Sequence, residues 1–376
     1  MIALAALGLL LTGAGAQAGA PSRVDVAIAR GVLSATLRVS GPAVLQEPGG
    51  RRRPLRLRGE LRLKPRANGL RLADLSLPSG TRLIPAPGTT VRVGADPHEG
   101  ALILRLDPAR TVTIVEDLPI EDYLLGVLPH EMDPDWPTEA LKAQAVVARS
   151  FAYANLGRFR DQGFDLTSDT RSQVFRGLAG VNENVRTAVR QTRGEVLGWH
   201  GKLLRTYFHA CCGGHTENAA EVWGGDPAKT PRPLRGVRDP WCRTAPPMRW
   251  SAYFSWQDLT AALEQKANLR GVLKSLKLGR RDPAGYLRDF VARAGGRDER
   301  VDANGLRLAL GAADLKSVKI KRLKRLRRGL EFWGAGSGHG VGLCQWGARR
   351  QAEHGRSYEQ ILSFYFPGST LSVVER

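Results

Sequence analysis

Residues 122–157 read DYLLGVLPHEMDPDWPTEALKAQAVVARSFAYANLG, and their character sets the organisation of the whole chain. They place a Pro-rich turn ahead of a helix expected from about Pro137 to Asn155. Pro137 is tolerated in a first turn, Glu139 suits the positive end of the helix dipole, and Gly157 supplies a stop.

Upstream, from about Val24 to Val115, the text differs: VDVAIA, ATLRVS, LRLRGELRLK, TRLIPA, ALILRL and TVTIV alternate apolar and polar residues between Gly, Pro and Asn. That is the pattern of half-buried strands joined by turns, with Arg51 to Pro54 read as an exposed loop. Downstream, VNENVRTAVRQTRGEVLGWHGKLLRTYFHA reads as helix, turn, strand, turn, strand. A further helix is expected near Ser255, with Ser255 as cap and Asp258 three residues on. Gly279 to Asp314 mixes helical and loop-like text. The fold class expected is α+β: an all-β amino-terminal domain over residues 24–118, then a mixed domain over residues 119–376 that carries a cleft.

The amino terminus runs apolar from Ile2 to Leu11 and ends in Ala16-Gln17-Ala18, an A-x-A site, so residues 1–20 read as a signal peptide or anchor. An extracytoplasmic location follows: periplasm, cell wall or secreted. No later stretch approaches the roughly 20 apolar residues of a membrane helix, so any membrane attachment is by the amino terminus. Formal charge is +20, from 56 basic and 36 acidic residues, which implies attraction to a polyanion. For an exported protein the candidates are wall glycan carboxylates, teichoic-type polymers and anionic lipid; no nucleic-acid motif is present. The basic run Lys316 to Arg328 reads as a solvated strand face.

Chemistry concentrates in four places. On the helix after the Pro-rich turn, Lys142, Ala145 and Arg149 share one face, and Glu131 is the nearest acid that could be set against those cations. Leu128, Pro129, Met132 and Trp136 give Glu131 the apolar setting that raises a carboxyl pKa, as a glycosidase acid requires; the alternative is a loop carboxylate paired to Lys142 or Arg149. Ser168 to Gly177, SDTRSQVFRG, is a polar loop whose Ser168 and Gln173 could hydrogen-bond a sugar.

The third place is YFHACCGGHTENAAEVWGG, which offers His209, Cys211, Cys212 and His215, with Cys242 downstream. Two readings stand: a zinc site of His209, Cys212, His215 and Cys242, or a disulfide between Cys212 and Cys242, which an exported location favours. Adjacent Cys211 and Cys212 fit disulfide geometry with each other poorly. Last, GAGSGHGVGLCQWGARRQAEHG lacks the GxxxxGK[ST] arrangement of a phosphate loop, but places an imidazole, an amide and an aromatic plate, His339, Gln345 and Trp346, in a Gly-rich segment suited to gripping sugar.

Taken in order, HEMDPDWPTEALKAQAVVARSFAYA, SDTRSQVFRG, TRGEVLGWHGKLLRTYFHACCGGHTENAAEVWGG and GHGVGLCQWGARRQAEHGRSYEQILSFYFPGSTL resemble the successive signatures of the stage II sporulation protein D and amidase-enhancer (SpoIID/LytB) family. They span roughly Ile120 to Leu371. The resemblance implies an exported lytic transglycosylase that cuts peptide-stripped peptidoglycan strands with one glutamate as acid and base, without an organic cofactor. It places that glutamate on Glu131 and the helix cations on Lys142 and Arg149, as substrate-orienting groups. It also implies 1,6-anhydro ends made by the muramic 6-hydroxyl. The rival it carries is a non-catalytic wall-binding enhancer of an N-acetylmuramoyl amidase. Some relatives are thought to bind zinc near the cysteine and histidine segment. Two departures stand out: Cys344 where the family usually has a serine, and Cys211 with Cys212 where one cysteine is common.

Overall fold

A computed structural model describes residues 23–56, 59–267 and 272–374. The expected signal segment, residues 1–20, lies outside them. Among the described residues no helix is long and apolar enough to cross a membrane.

The alternating segments at the amino terminus form two sheets. One has seven strands in the order Leu166–Thr167, Arg23–Val32, Val112–Pro119, Ala101–Leu106, Thr81–Pro85, Ala43–Gln46, Arg52–Leu55. The other has six, in the order Asp96–His98, Val91–Val93, Ala35–Val39, Glu60–Arg66, Gly69–Leu72, Leu75–Leu77. Period-two alternation puts Leu37, Leu61 and Leu63 of one sheet against Leu45, Leu83, Leu102 and Leu104 of the other in a shared core. Arg51 to Pro54, expected as a loop, is corrected: Arg52–Leu55 is a strand paired antiparallel with Ala43–Gln46. It is the outer strand of its sheet, where Pro54 costs no interior ladder bond.

The strand Val112–Pro119 runs on into helix α1, Ile120–Glu131, and so joins the β region to the rest without a linker. Here too the structure differs from the expectation of a simple Pro-rich turn. Pro129 lies in the last turn of α1, where its missing N–H removes one bond and the helix needs only two more residues. Met132 turns extended, and its N–H closes on Leu128 O at 2.9 Å. The real turn is Asp133–Trp136, and α2, Thr138–Ala154, follows as expected. Most of α2 is buried, from Ala140 to Ala152 with few interruptions. A helix apolar on nearly every side must be packed on every side, and α2 is the axle of the largest core. It is surrounded by α1, by α3 (Glu183–Gln191), and by the strand Glu195–Trp199. The short α4, Ala219–Trp223, precedes the turn that carries Cys242.

Residues 250–334, within the span read as one domain, carry a core of their own. Two three-stranded sheets pack with α5 (Trp256–Ala267) and α6 (Ala303–Leu310) around Phe290, Phe332, Leu259 and Leu306. The start of α5 is as expected: Ser255 Oγ accepts from Asp258 N at 3.1 Å, and Asp258 Oδ2 accepts from Ser255 N at 3.1 Å. The basic run supplies the strand Ile320–Leu326, with Lys321, Arg322, Lys324 and Arg325 all exposed. The chain then returns to the main core through α7 (Gln345–Glu353) and α8 (Tyr358–Tyr365), both of which pack on α2.

Candidate active site

Glu131 is the last residue of α1, at the corner where the chain turns back into α2. Tyr123, Leu128, Met132 and Trp136, all buried, surround this corner. Its Oε1 accepts a hydrogen bond from Val174 N at 2.7 Å, and its backbone oxygen accepts from Gln345 Nε2 at 2.8 Å. Burial pushes the Glu131 carboxyl up to about 7, against the opposing pull of the Val174 N–H. The negative end of α1 acts in the same direction as burial, because it disfavours an anion there. No neighbouring charge contributes: the shift comes from burial and one hydrogen bond. The group is therefore a weak acid that is about half protonated near neutrality.

The loop that supplies Val174 is held by a glycine. Gly126 in α1 lies under the loop, with Arg176 N donating to Gly126 O at 3.3 Å. A Cβ there would overlap the Gly177 carbonyl and come within 2.5 Å of the Phe175 ring. Gly126→Ala is thus expected to lift the loop off α1 and to cost roughly 1–3 kcal/mol. Urea denaturation of the purified variant would read this; an unchanged midpoint would show that the loop does not depend on that contact.

Of the residues expected at the site, the structure gathers Glu131, Gln173, Gln345 and Trp346. Gln173 is buried, its Oε1 accepting from Tyr123 OH at 3.1 Å, while its Nε2 has no partner. Trp346 packs against Trp136 with ring centroids 4.8 Å apart, and the Arg349 guanidinium lies over both rings at 5.0 Å. Ser168 stands at the base of the loop, where its carbonyl accepts from Phe175 N. Gln144 is an addition that sequence reading missed. It lies buried on α2 with Oε1 3.5 Å from Gln345 Nε2 and with its own Nε2 unpartnered. The signal was present: an amide flanked by Ala143, Ala145, Val146 and Val147 is costly to bury unless something uses it.

Lys142 and Arg149 share a face as expected, but both are engaged away from Glu131. Lys142 Nζ donates to Glu139 Oε1 at 2.6 Å and lies over the Tyr358 ring. Arg149 is fully buried and grips Glu121 with both ends of its fork, Nε to Oε1 at 3.0 Å and Nη2 to Oε2 at 2.7 Å. Its Nη1 donates to Glu195 O at 3.0 Å. Among the described residues Glu131 makes no ion pair with either cation. A cavity of about 450 Å³ borders the loop at Phe175, between Arg23, Asp122 and Arg186, and Glu131 is not part of its lining.

His339 is placed with His209, Tyr207 and Trp223 in an aromatic group, ring centroids 5.7 Å from His209 and 5.2 Å from Trp223. Its Nδ1 accepts from Val341 N at 3.1 Å. Burial pulls the His209 imidazole down to about 4, and Nδ1 lies 3.1 Å from Val341 O. His215 uses Nδ1 on Thr216 O at 2.7 Å. Among the described residues the ligand atoms that converge with those of Cys212 and Cys242 are those of Asp239 and Cys344, and not of His209 or His215. Cys212 and Cys242 do meet, as free thiols with Sγ atoms 3.4 Å apart, beyond the roughly 2.05 Å of a disulfide.

The site defines an α+β class in which a half-buried glutamate, its carboxyl raised by burial, stands beside a loop bearing Gln173 and a helix start bearing Gln345 and Trp346. The sequence comparisons give the class its family. The stage II sporulation protein family model matches residues 109–199, which include α1, α2, the loop and α3. An uncharacterised protein of Brachyspira hyodysenteriae is 38% identical over 259 residues, covering 69% of this chain and 68% of its own length. The amidase enhancer of Bacillus subtilis is 31% identical over 299 residues, covering 66% of this chain and 40% of the enhancer. Stage II sporulation protein D of the same organism is 28% identical over 279 residues, covering 69% and 76%. The chain belongs to the stage II sporulation protein D and amidase-enhancer family.

Proposed function

We propose that the protein is an exported lytic transglycosylase that cleaves peptide-stripped peptidoglycan strands with Glu131 as its only acid and base. The observation that carries this reading is a carboxyl raised to about 7 by burial, with no second charge acting on it. Two-carboxylate glycosidases set a second acid about 5–10 Å away as nucleophile or base. A transglycosylase can omit it, because the muramic 6-hydroxyl attacks the anomeric carbon. In that scheme Glu131 gives its proton to the glycosidic oxygen. The carboxylate so formed then takes the proton of the attacking hydroxyl, and the bond to the leaving sugar breaks. The unpartnered amide nitrogens of Gln144 and Gln173 suit sugar oxygens, and Trp346 with Trp136 offers a stacking plate. No organic cofactor enters the scheme.

The experiment is incubation with peptide-stripped strands in heavy-oxygen water, followed by mass spectrometry of the new ends. Unlabelled 1,6-anhydro-muramic ends are expected. Labelled reducing ends would mean hydrolysis by water and sink the transglycosylase. The rate also has a defined pH dependence. Glu131 must start protonated, so cleavage is expected to be flat on the acid side of pH 7 and to fall about tenfold per unit above it. A profile centred near the ordinary glutamate value of 4.5 would contradict the assignment.

A second reading is favoured by one observation, the 31% identity to an amidase enhancer. In that case the partner is an N-acetylmuramoyl amidase and the site serves strand binding. Stimulation of a wall amidase that survives Glu131→Gln, with strands left uncut by both proteins, would select it.

A further inference from the structure

The chain has four cysteines, and the fold brings all four to one place. Cys211, Cys212, Cys242 and Cys344 come from three segments separated by up to 132 residues, and each is essentially inaccessible to solvent. Cys212 Sγ lies 3.4 Å from Cys242 Sγ, and Cys344 Sγ accepts from Cys212 N at 3.3 Å. The ligand atoms of Cys212, Asp239, Cys242 and Cys344 all lie within 4.8 Å of one another. Three sulfurs and one carboxylate oxygen therefore form a compact four-donor set, with Cys212–Cys242 one sulfur–sulfur edge at 3.4 Å. A zinc ion with bonds of about 2.3 Å sets such edges at roughly 3.8 Å, close to the spacing found.

We propose that the thiolates of Cys212, Cys242 and Cys344, with the Asp239 carboxylate, hold a structural divalent cation of the zinc class. The set differs from the histidine-containing one read from the sequence, and the proposal stands independently of glycan cleavage. Asp239 supplies the oxygen ligand. Its Oδ1 accepts from Trp241 N at 2.8 Å and its Oδ2 from Tyr365 OH at 2.9 Å, so it is already held in place, 3.2 Å from Cys212 Sγ. Each thiol gives up its proton on binding the metal, and no electron is exchanged.

The cluster would staple three segments of the main core. The first is Cys211–Cys212, whose neighbour Ala210 O accepts from Trp346 N at 3.1 Å. The second is the 239–242 turn, and the third is the start of α7. Cys344 directly precedes Gln345, the residue whose amide reaches the backbone of Glu131. The metal therefore lies behind the acid, fixing the helix that supports it.

The test is metal analysis of the full-length protein purified without chelator or reductant. About one zinc per chain is expected, and cobalt exchanged into the same protein should show intense sulfur-to-cobalt charge-transfer absorption. Cys344→Ser and Cys242→Ser should each lose most of the metal, while His209→Ala and His215→Ala should retain it. Metal-free protein whose mass is lower by the hydrogens of both disulfides would overturn the proposal. So would retention of metal by Cys344→Ser with loss in His215→Ala. If the cysteine variants fail to fold, the wild-type metal content and cobalt spectrum still decide the question. Failure here leaves the role of Glu131 untouched, and loss of cleavage with metal retained would point to that role instead.

Discussion

Glutamine at position 131 should abolish strand cutting while leaving a better-folded protein. Loss of a positioned acid is expected to lower the cleavage rate about 10²- to 10⁴-fold, whereas strand affinity should stay within about twofold of wild type. The glutamine Oε1 keeps the hydrogen bond from Val174 N, so the loop stays where it is. Stability should move the other way, and the sign follows from linkage. The folded-state pKa of about 7 lies above the ordinary 4.5, so the carboxyl contributes fully below 4.5 and its contribution is lost as pH rises toward 7. Above neutrality wild type carries a penalty on the order of 3 kcal/mol that the neutral amide lacks. Thermal melts at pH 5 and pH 8 should therefore show Glu131→Gln gaining on wild type at the higher pH only. Equal gains at both would place the carboxyl in water, and retained cutting would remove Glu131 from the chemistry.

Arg149 gives the second large effect, through a different cause. A fully buried guanidinium that serves Glu121 twice and the Glu195 carbonyl once cannot be withdrawn without stranding their oxygens. Arg149→Met is expected to cost about 3–5 kcal/mol, since it takes the cation from a largely buried carboxylate that keeps only the Gly194 N–H. Arg149→Lys should recover only part of this, because an ammonium cannot reproduce the fork. Guanidinium denaturation measures both. A wild-type midpoint in Arg149→Met, joined to a raised KM for strands, would instead return this residue to the substrate-orienting role that family resemblance implies.

The contrast between Glu131 and Arg149 shows what a sequence can and cannot convey. The α2 helix was legible because Pro137, Glu139 and Gly157 bracket it and because its interior is Ala-rich. The same periodicity correctly put Lys142 and Arg149 on one side. What that side faces depends on where Glu121, Glu195 and Tyr358 fall in space, and these lie as far as 216 residues away in the chain. The apolar neighbours of Glu131 are local, so its raised pKa could be anticipated. Its partners Val174 and Gln345 are not local, although the segments that contain them were singled out. The Pro-rich stretch reads as a turn, yet Pro129 falls in the final turn of α1, where one missing N–H matters little. The strands of the amino-terminal sandwich were visible in their alternation, but the Arg-rich strand Arg52–Leu55 was hidden, since an outer strand need not alternate cleanly. The convergence of Cys344 with Cys212 was beyond sequence reasoning altogether: nothing in spacing links residues 132 apart.

The most direct measurement is the titration of Glu131 itself, by carbon NMR of protein labelled at the glutamate side-chain carboxyl, with Glu131→Gln used to assign the resonance. A midpoint near 7 is predicted, the value at which burial leaves this carboxyl able to give up a proton at neutral pH. A midpoint at the ordinary 4.5 would mean an ionised, solvated group and would contradict its role as the acid of the site.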